Sequence, residues 1–377
     1  MAALLTTNMF NPVNVREHEN HQCVRVVPGQ QLSPQLCVEW RLLQQANPTL
    51  SSPYFSPEFT QLVASVRSDV EVAVVEEAQR VVALFPFQRG LFSAAKPVAG
   101  RLSDFQAVIA APGTPIDPQQ LLRQCGLKSW KFDHLLTSQV EFAPYLWTRA
   151  NSPYIDLAQG FAAYEAGRRG ENSELSTIKR KLKKMEREIG PARLEWKSAS
   201  REDLQKLLRW KSEQYARTGL RDLFSIDWIR NFVDQLLLRD DPNLTGLLTC
   251  LYAGDRLVAA HLGMSCRHVM HWWFPSYDRE LGRYSPGMSL IYLISQQANQ
   301  HGITRIDLGK GDEDYKFRLA SGSDEVAEGS VDLSPGSRLF RRTWQATRDW
   351  LKTSPLYGPV AAPLRAVRRL RDWFSFQ

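Results

Sequence analysis

The chain lacks three things that would have settled its class at once. No segment approaches the roughly 18 uninterrupted apolar residues of a membrane-spanning helix. No Cys-x-x-Cys or Cys/His spacing is present, which argues against a structural zinc site. No Gly-x-Ser-x-Gly elbow is present either, so a Ser-His-Asp nucleophile has no strained turn to expose it. Cysteine itself is sparse: Cys23, Cys37, Cys125, Cys250 and Cys266 make an odd set of five in 377 residues. An odd, scattered set does not suit a disulfide framework. The first residues combine no charged region, apolar run and cleavage site. The expectation is a reduced, cytoplasmic protein.

Basic charge is also missing from most of the chain. The net charge is +7, yet residues 335–377 hold nine Lys+Arg against two Asp+Glu, and the first 334 residues balance. A nucleic-acid footprint would place its excess on a folded face, so this distribution speaks against such a partner. In the tail, Phe340, Trp344, Thr347 and Leu351 fall on one helical face opposite Arg341, Arg342, Arg348 and Lys352. Leu364, Val367 and Phe374 repeat the theme after Pro363. Such a basic amphipathic segment suits an anionic membrane surface, here the inner membrane, or a polysaccharide synthase, and equally a pair of helices docked on the protein.

With 43% hydrophobic and 23% charged residues, the remainder reads as globular and long enough for two domains. Residues 1–22 are polar and patternless and are expected to form an arm. Helical spacing predicts helices over 34–45 and after Ser56-Pro57, followed by strands over 70–76, 81–87 and 105–110. A helix over 117–125 and a strand over 128–136 follow. The second half repeats the order with a helix over 174–189 and further helices capped by Ser200 and Ser225. A hairpin over 244–252 and 256–264, a strand over 269–274, a helix over 285–301 and a strand over 303–308 complete it. The expected architecture is α/β of the α+β kind: two similar modules, 23–160 and 161–334, each a mostly antiparallel sheet flanked by helices. The substrate groove would lie between them.

The densest stretch runs from Tyr277 to Ala320. Ser285 suits an N-cap, Pro286 the first helical position, and Gly287 leaves the free backbone N–H groups unshielded. Those donors and the positive end of the helix dipole favour a phosphate, and Arg279 and Arg283 lie just upstream. An ordinary capped surface helix has the same sequence pattern.

A meander whose third strand leads through a phosphate-suited turn into a helix and a strand resembles the acyl-CoA-binding core of GNAT acetyltransferases. Tyr284-Ser-Pro-Gly, then Ile306-Asp-Leu-Gly-Lys-Gly-Asp-Glu-Asp-Tyr-Lys-Phe-Arg, together with Asn47-Pro and Ser52-Pro-Tyr-Phe-Ser-Pro-Glu-Phe, looks like the cellulose-biosynthesis acetyltransferase family of the CelD type. That family is related to the tandem-GNAT Fem transferases, and the resemblance spans roughly residues 33–330. It implies two tandem GNAT-like modules and direct transfer of an acetyl group from acetyl-CoA to a saccharide or lipid-linked glycan precursor. The GNAT pyrophosphate loop has Gln or Arg, two residues, Gly, one residue, then Gly or Ala. Arg279-Glu-Leu-Gly282-Arg283-Tyr284 meets the first part and places tyrosine last.

Direct transfer needs a base for the acceptor and a proton for the departing thiolate. Asp307, late in an apolar strand, Glu313 and His261 are the candidate bases. Asp307 could instead cap the Gly-rich turn, and a lone strand histidine such as His261 is often a core residue. Tyr315 resembles, by position, the tyrosine that many GNAT enzymes use to protonate the thiolate, with packing as the alternative. Lys316 suits a CoA phosphate or an acidic acceptor, or a pairing with Asp312 or Glu313. Asp312, Glu313 and Asp314 lack the alternating spacing of a calcium loop, so no metal is expected. The lysine-rich face of residues 179–187 reads as solvated. Alternation along residues 269–274 sends His271 and Trp273 to one face and Met270, Trp272 and Phe274 to the other. Two rival readings remain: a Fem-like aminoacyl transferase acting on a peptidoglycan precursor, and a non-catalytic GNAT scaffold at a membrane polysaccharide synthase.

Overall fold

Two runs of antiparallel strands, each closed by a helical crossover to a parallel strand, build the protein. The computed structural model describes residues 22–168, 174–311 and 313–334, with Gly336 and Thr343. The expected arm falls on residues 1–21 and the expected tail on 335–377, so apart from residue 22 and those two isolated residues both lie outside the described residues.

The first half contains β1 (Cys23–Pro28), α1 (Pro34–Ala46), α2 (Pro57–Val66), β2 (Val70–Glu77), β3 (Arg80–Arg89), β4 (Ala94–Lys96), β5 (Ile109–Ala110), α3 (Pro118–Gln124), β6 (Ser129–Leu136) and β7 (Leu146–Asp156). The second contains α4 (Phe161–Ala166), α5 (Glu174–Glu188), β8 (Ala192–Glu195), α6 (Arg201–Thr218), α7 (Asp227–Leu237), β9 (Asp240–Asp241), β10 (Leu244–Ala253), β11 (Arg256–Cys266), β12 (Val269–Tyr277), α8 (Pro286–Gln297), β13 (Arg305–Asp307), α9 (Asp314–Leu319) and β14 (Gly322–Asp332).

All strands join one mixed sheet in the order β1-β2-β3-β4-β6-β14-β7-β13-β12-β11-β10-β8, with β5 on β3 and β9 on β10. Two pairs are parallel, β4 with β6 and β12 with β13. Each needs a crossover, which α3 and α8 supply. The halves then trade strands: β7 lies beside β13, and β14 lies between β6 and β7. Each half therefore finishes its sheet with a strand from the other.

Burial follows the same logic. One apolar cluster joins Trp40, Phe59 and Leu62 of the first half to Leu207, Phe232 and Trp273 of the second, and the Trp40 indole Nε1 donates to Phe55 O at 2.8 Å inside it. The other two clusters are local. Phe85, Phe87, Trp130, Phe132 and Phe142 pack in the first half, while Ile178, Met185, Tyr284, Leu290 and Ile306 pack between α5, α8 and the second-half sheet.

Four expectations are corrected by the structure. Residues 105–108 do not form a strand, because the buried Gln106 side chain accepts from the Asp133 and His134 amides and only Ile109–Ala110 pairs with β3. Ser225 does not cap α7: its hydroxyl donates to Asp222 O, and Ile226 takes the cap position without a side-chain bond. Ser285 precedes α8 in the left-handed region (φ 52°, ψ 55°) and makes no side-chain cap. Phe274 leaves the face of Met270 and Trp272 and joins Trp273 in the shared cluster. A register irregularity in the β11–β12 pairing, between Leu262 and Met264, interrupts strict alternation there.

Candidate active site

Strand β12 runs on to Tyr277, but β13 stops at Asp307, opposite His271. Leu308 N then bonds Pro153 O of β7, so the chain after β13 leaves β12. A crevice at the carboxyl ends of parallel strands is where open α/β sheets place ligands, because no strand fills it and crossover helices start beside it.

One wall is the start of α8. A non-glycine residue in the left-handed region is unusual, and such strain collects at functional sites. Ser285 is held there while its Oγ accepts from Lys181 Nζ at 2.7 Å. Arg283 donates to Tyr284 Oη at 2.6 Å and lies over that ring, with Lys184 over the ring as well. Tyr284 itself is buried and donates to Glu188 at 2.7 Å. Arg279 and Gly282 are exposed. A Cβ on Gly287 would make only ordinary contact with the Tyr277 ring, 3.4 Å away, so the glycine's value here is an unshielded amide. The lysine-rich face of α5 is thus partly committed: it lines this helix start, which its sequence did not disclose.

The other wall is polar and comes from both halves. His271 Nε2 lies 2.8 Å from Asp104 Oδ2, 167 residues earlier in the chain. His271 is fully buried, whereas the Asp104 side chain is 25% exposed. Burial raises the Asp104 carboxyl, but the bond and charge of His271 more than offset it and hold the group below its usual range. It is therefore the carboxylate, and His271 donates. Asp104 Oδ1 is 3.9 Å from His134 Nε2, and His134 Nδ1 is 3.0 Å from Asp133 Oδ1. Burial opposes ionisation of Asp133, but His134 and Gln106 hold it down to about 2. The Tyr54 side chain, in a residue 4% exposed, lies beside Asp104, whose backbone bears on its hydroxyl. Its phenol is pushed well up by burial and by the Asp104 charge. Gly309 (φ 73°) closes over the pair: a Cβ there would sit 3.1 Å from Asp104 Oδ2 and 3.6 Å from His271 Cε1.

The residues singled out from the sequence divide around this crevice. Asp307 is buried near His271, with Oδ1 2.6 Å from Arg305 Nε, and Arg305 also pairs with Asp324. Burial raises its carboxyl and Arg305 only partly compensates. The ion pair, rather than a turn cap, occupies that side chain. Lys316 Nζ donates to Gly309 O at 3.3 Å and Lys310 O at 3.4 Å, and pairs with the exposed Glu313 at 3.2 Å. It therefore shapes the Gly-rich loop. Tyr315 lies beside Trp272 with burial pushing its phenol up to about 12. His261 is fully buried, its Nε2 accepting from the Trp273 amide at 3.1 Å, and burial followed by the His271 charge lowers it to about 3. Its basic nitrogen is spent on the backbone. Among the described residues, no three His, Cys, Asp or Glu side chains are grouped to hold a metal ion, and no helix is long and apolar enough to cross a membrane.

Asp104, Tyr54, His134 and Lys181 carried no sequence signal for a site. Asp104 sits in a loop among ordinary polar residues, and only the fold brings it to β12.

Curated proteins give no match. Solved structures of similar fold include the C-terminal domain of a protein assigned as a lysylphosphatidylglycerol synthetase from Agrobacterium fabrum (TM-score 0.51, 12% identity, 84% of this chain and 96% of that one). They also include FemX (TM-score 0.49, 11% identity, 72% and 89%) and a tandem GNAT protein from the clavulanic acid biosynthesis pathway (TM-score 0.46, 12% identity, 83% and 99%). Residues 172–317, which hold the open end of β12, the start of α8 and His271, match the family model described as Acetyltransferase (GNAT) domain.

Proposed function

We propose that the protein is an acyltransferase that takes an acetyl group from acetyl-CoA and passes it directly to an acceptor in the crevice between its halves. The observation that carries this reading is the uncapped, left-handed Ser285 start of α8, flanked by Lys181 and Arg283 at the open end of β12. The Gly287 amide in the first turn, a helix dipole and two cations suit a pyrophosphate. Arg279, Gly282, Gly287 and Tyr284 belong to that wall, Tyr284 as its buried support. Lys316 holds the opposite loop.

On the acceptor side, the Asp104 carboxylate, oriented by His271, takes the proton of the attacking group through Oδ1. The new bond forms at the thioester carbonyl carbon, the C–S bond breaks, and Tyr315 supplies a proton to the thiolate. Asp307 lies beside His271 at the end of β13. The CelD-type resemblance points to a saccharide or lipid-linked glycan acceptor in exopolysaccharide or cellulose biosynthesis, with a peripheral membrane position through the tail. Calorimetric titration with acetyl-CoA tests the donor: binding that Gly287→Val weakens supports it, and no heat at millimolar ligand removes it.

The exposed Lys184, over the Tyr284 ring beside the same helix start, favours a second reading, aminoacyl transfer from charged tRNA to a peptidoglycan precursor. RNA binding that weakens steeply with salt would support it.

A further inference from the structure

We propose that Lys211 is a self-acylation site, its ε-amine taking an acyl group from a thioester bound in the crevice. Asp203, Leu207 and Lys211 form the buried stripe of α6, spaced four residues apart on one face. That helix packs on β11 and β12, on the face that carries Leu207 and Trp273. The stripe begins conventionally, with Asp203 bonded to Ser198 and Tyr252 and Leu207 in the core. It then ends in a lysine that is only 8% exposed.

Buried lysines ordinarily pair with a carboxylate. Among the described residues the hydrogen-bond partner of Lys211 is the Gln214 side chain, at 3.1 Å, one turn along the same helix. The charged groups that act on it are Glu313, just before α9, and Lys316 of α9, and it in turn acts on His261 of β11. Glu313 is engaged by Lys316 instead. Lys316 also bears on Asp104, as does Tyr215, one turn beyond Lys211 on α6. Lys211 thus lies on the face of α6 that packs on β11 and on β12, the strand of His271. Burial, the dominant influence, lowers its pKa to about 8, so a usable fraction is the neutral nucleophile near pH 7.

The step balances without another reagent. The neutral amine attacks the thioester carbonyl carbon, the C–N bond forms as the C–S bond breaks, and one amine proton passes to the thiolate, giving an amide and free coenzyme A. Burial also supplies selectivity, since a thioester seated in the crevice reaches Lys211 while bulk acylating agents meet exposed lysines such as Lys183 first.

The inference rests on the crevice being an acyl-CoA site, so calorimetric binding of acetyl-CoA to the full chain is measured first; without binding, both readings fall. With binding established, the chain is incubated with acetyl-CoA and followed by intact mass and peptide mapping. The expected result is one acetyl group per chain on Lys211, appearing about tenfold faster than on Lys183. The rate should rise with pH toward 8 and level above it, and Lys211→Arg should abolish the mass gain. A chain that binds acetyl-CoA yet gains no acetyl group, or gains it on Lys183 and Lys184 as fast as on Lys211, overturns the proposal. The wild-type map decides even if the arginine variant does not fold.

Discussion

The two crossovers of this protein have the same plan and opposite chemistry. In the first half, β4 passes through α3 to β6. The start of α3 is filled by Asp117, whose carboxylate accepts from the Gln119 and Gln120 amides at 2.8 and 3.1 Å. Beside it, Phe85, Phe87, Trp130, Phe132 and Phe142 close a dry core. In the second half, β12 passes through α8 to β13. That helix start has no side-chain cap, Lys181 and Arg283 lie at it, and the pairing of β12 with β13 brings Asp307 to His271, which holds Asp104. An internal carboxylate already occupies the place a bound phosphate would need in the first half. The first crossover closes its helix start with its own side chain, and the second leaves its helix start without one.

That contrast can be attacked at several strengths. Asp104→Asn or His271→Asn should slow thiol release from acetyl-CoA in the presence of a saccharide acceptor by about 10²- to 10⁴-fold, the usual worth of a positioned proton acceptor, with acetyl-CoA affinity unchanged. Equal loss of affinity would make the pair structural. Removing both Lys181 and Arg283 by alanine should weaken acetyl-CoA binding by about a hundredfold or more, from two charge-assisted contacts of roughly 1.5–3 kcal/mol each. Asp117→Ala should leave that affinity untouched and cost about 1 kcal/mol of stability, as a lost N-cap does. An effect on binding would show that the first crossover takes part.

Buried titratable groups should also make stability depend on pH. His261 is lowered to about 3 in the fold, from 6.5 when free. The unfolded chain therefore binds the extra proton first, and stability is full above about 6.5 and falls as pH drops from there toward 3. His261→Gln should flatten that slope in denaturant titrations. Lys211 works in the other window. With its folded value near 8 against 10.5 unfolded, stability rises as pH climbs from 8 to 10.5, and at neutral pH both states are charged and a constant burial penalty remains. Lys211→Met should relieve it and raise the melting temperature at pH 7, by the smallest effect of this series.

The elements that the sequence displayed best are those with one apolar face. The residues Leu175, Ile178, Leu182 and Met185 of α5 and the hairpin of β10 and β11 could be read directly from period and punctuation, and so could the place where α8 begins, though not the left-handed, uncapped form of Ser285. The strands β7 and β14 could not. Leu146–Asp156 carries Pro153 and a polar run, and Gly322–Asp332 alternates acids with small residues, so neither shows the period-two signal of a half-buried strand. Both are central because the halves exchange them, a long-range pairing that local pattern does not encode. The site divided in the same way. Ser285, Gly287 and Asp307 stood in a punctuated stretch, whereas Asp104 and Tyr54 reach His271 only through tertiary packing.

A crystal structure of the full chain with acetyl-CoA tests the central claim most directly. The account predicts the pyrophosphate on the Gly287 amide between Lys181 and Arg283, with the thioester turned toward Asp104 and His271. A pyrophosphate seated at α3 in the first half, or a thioester directed away from the Asp104–His271 pair, would contradict it.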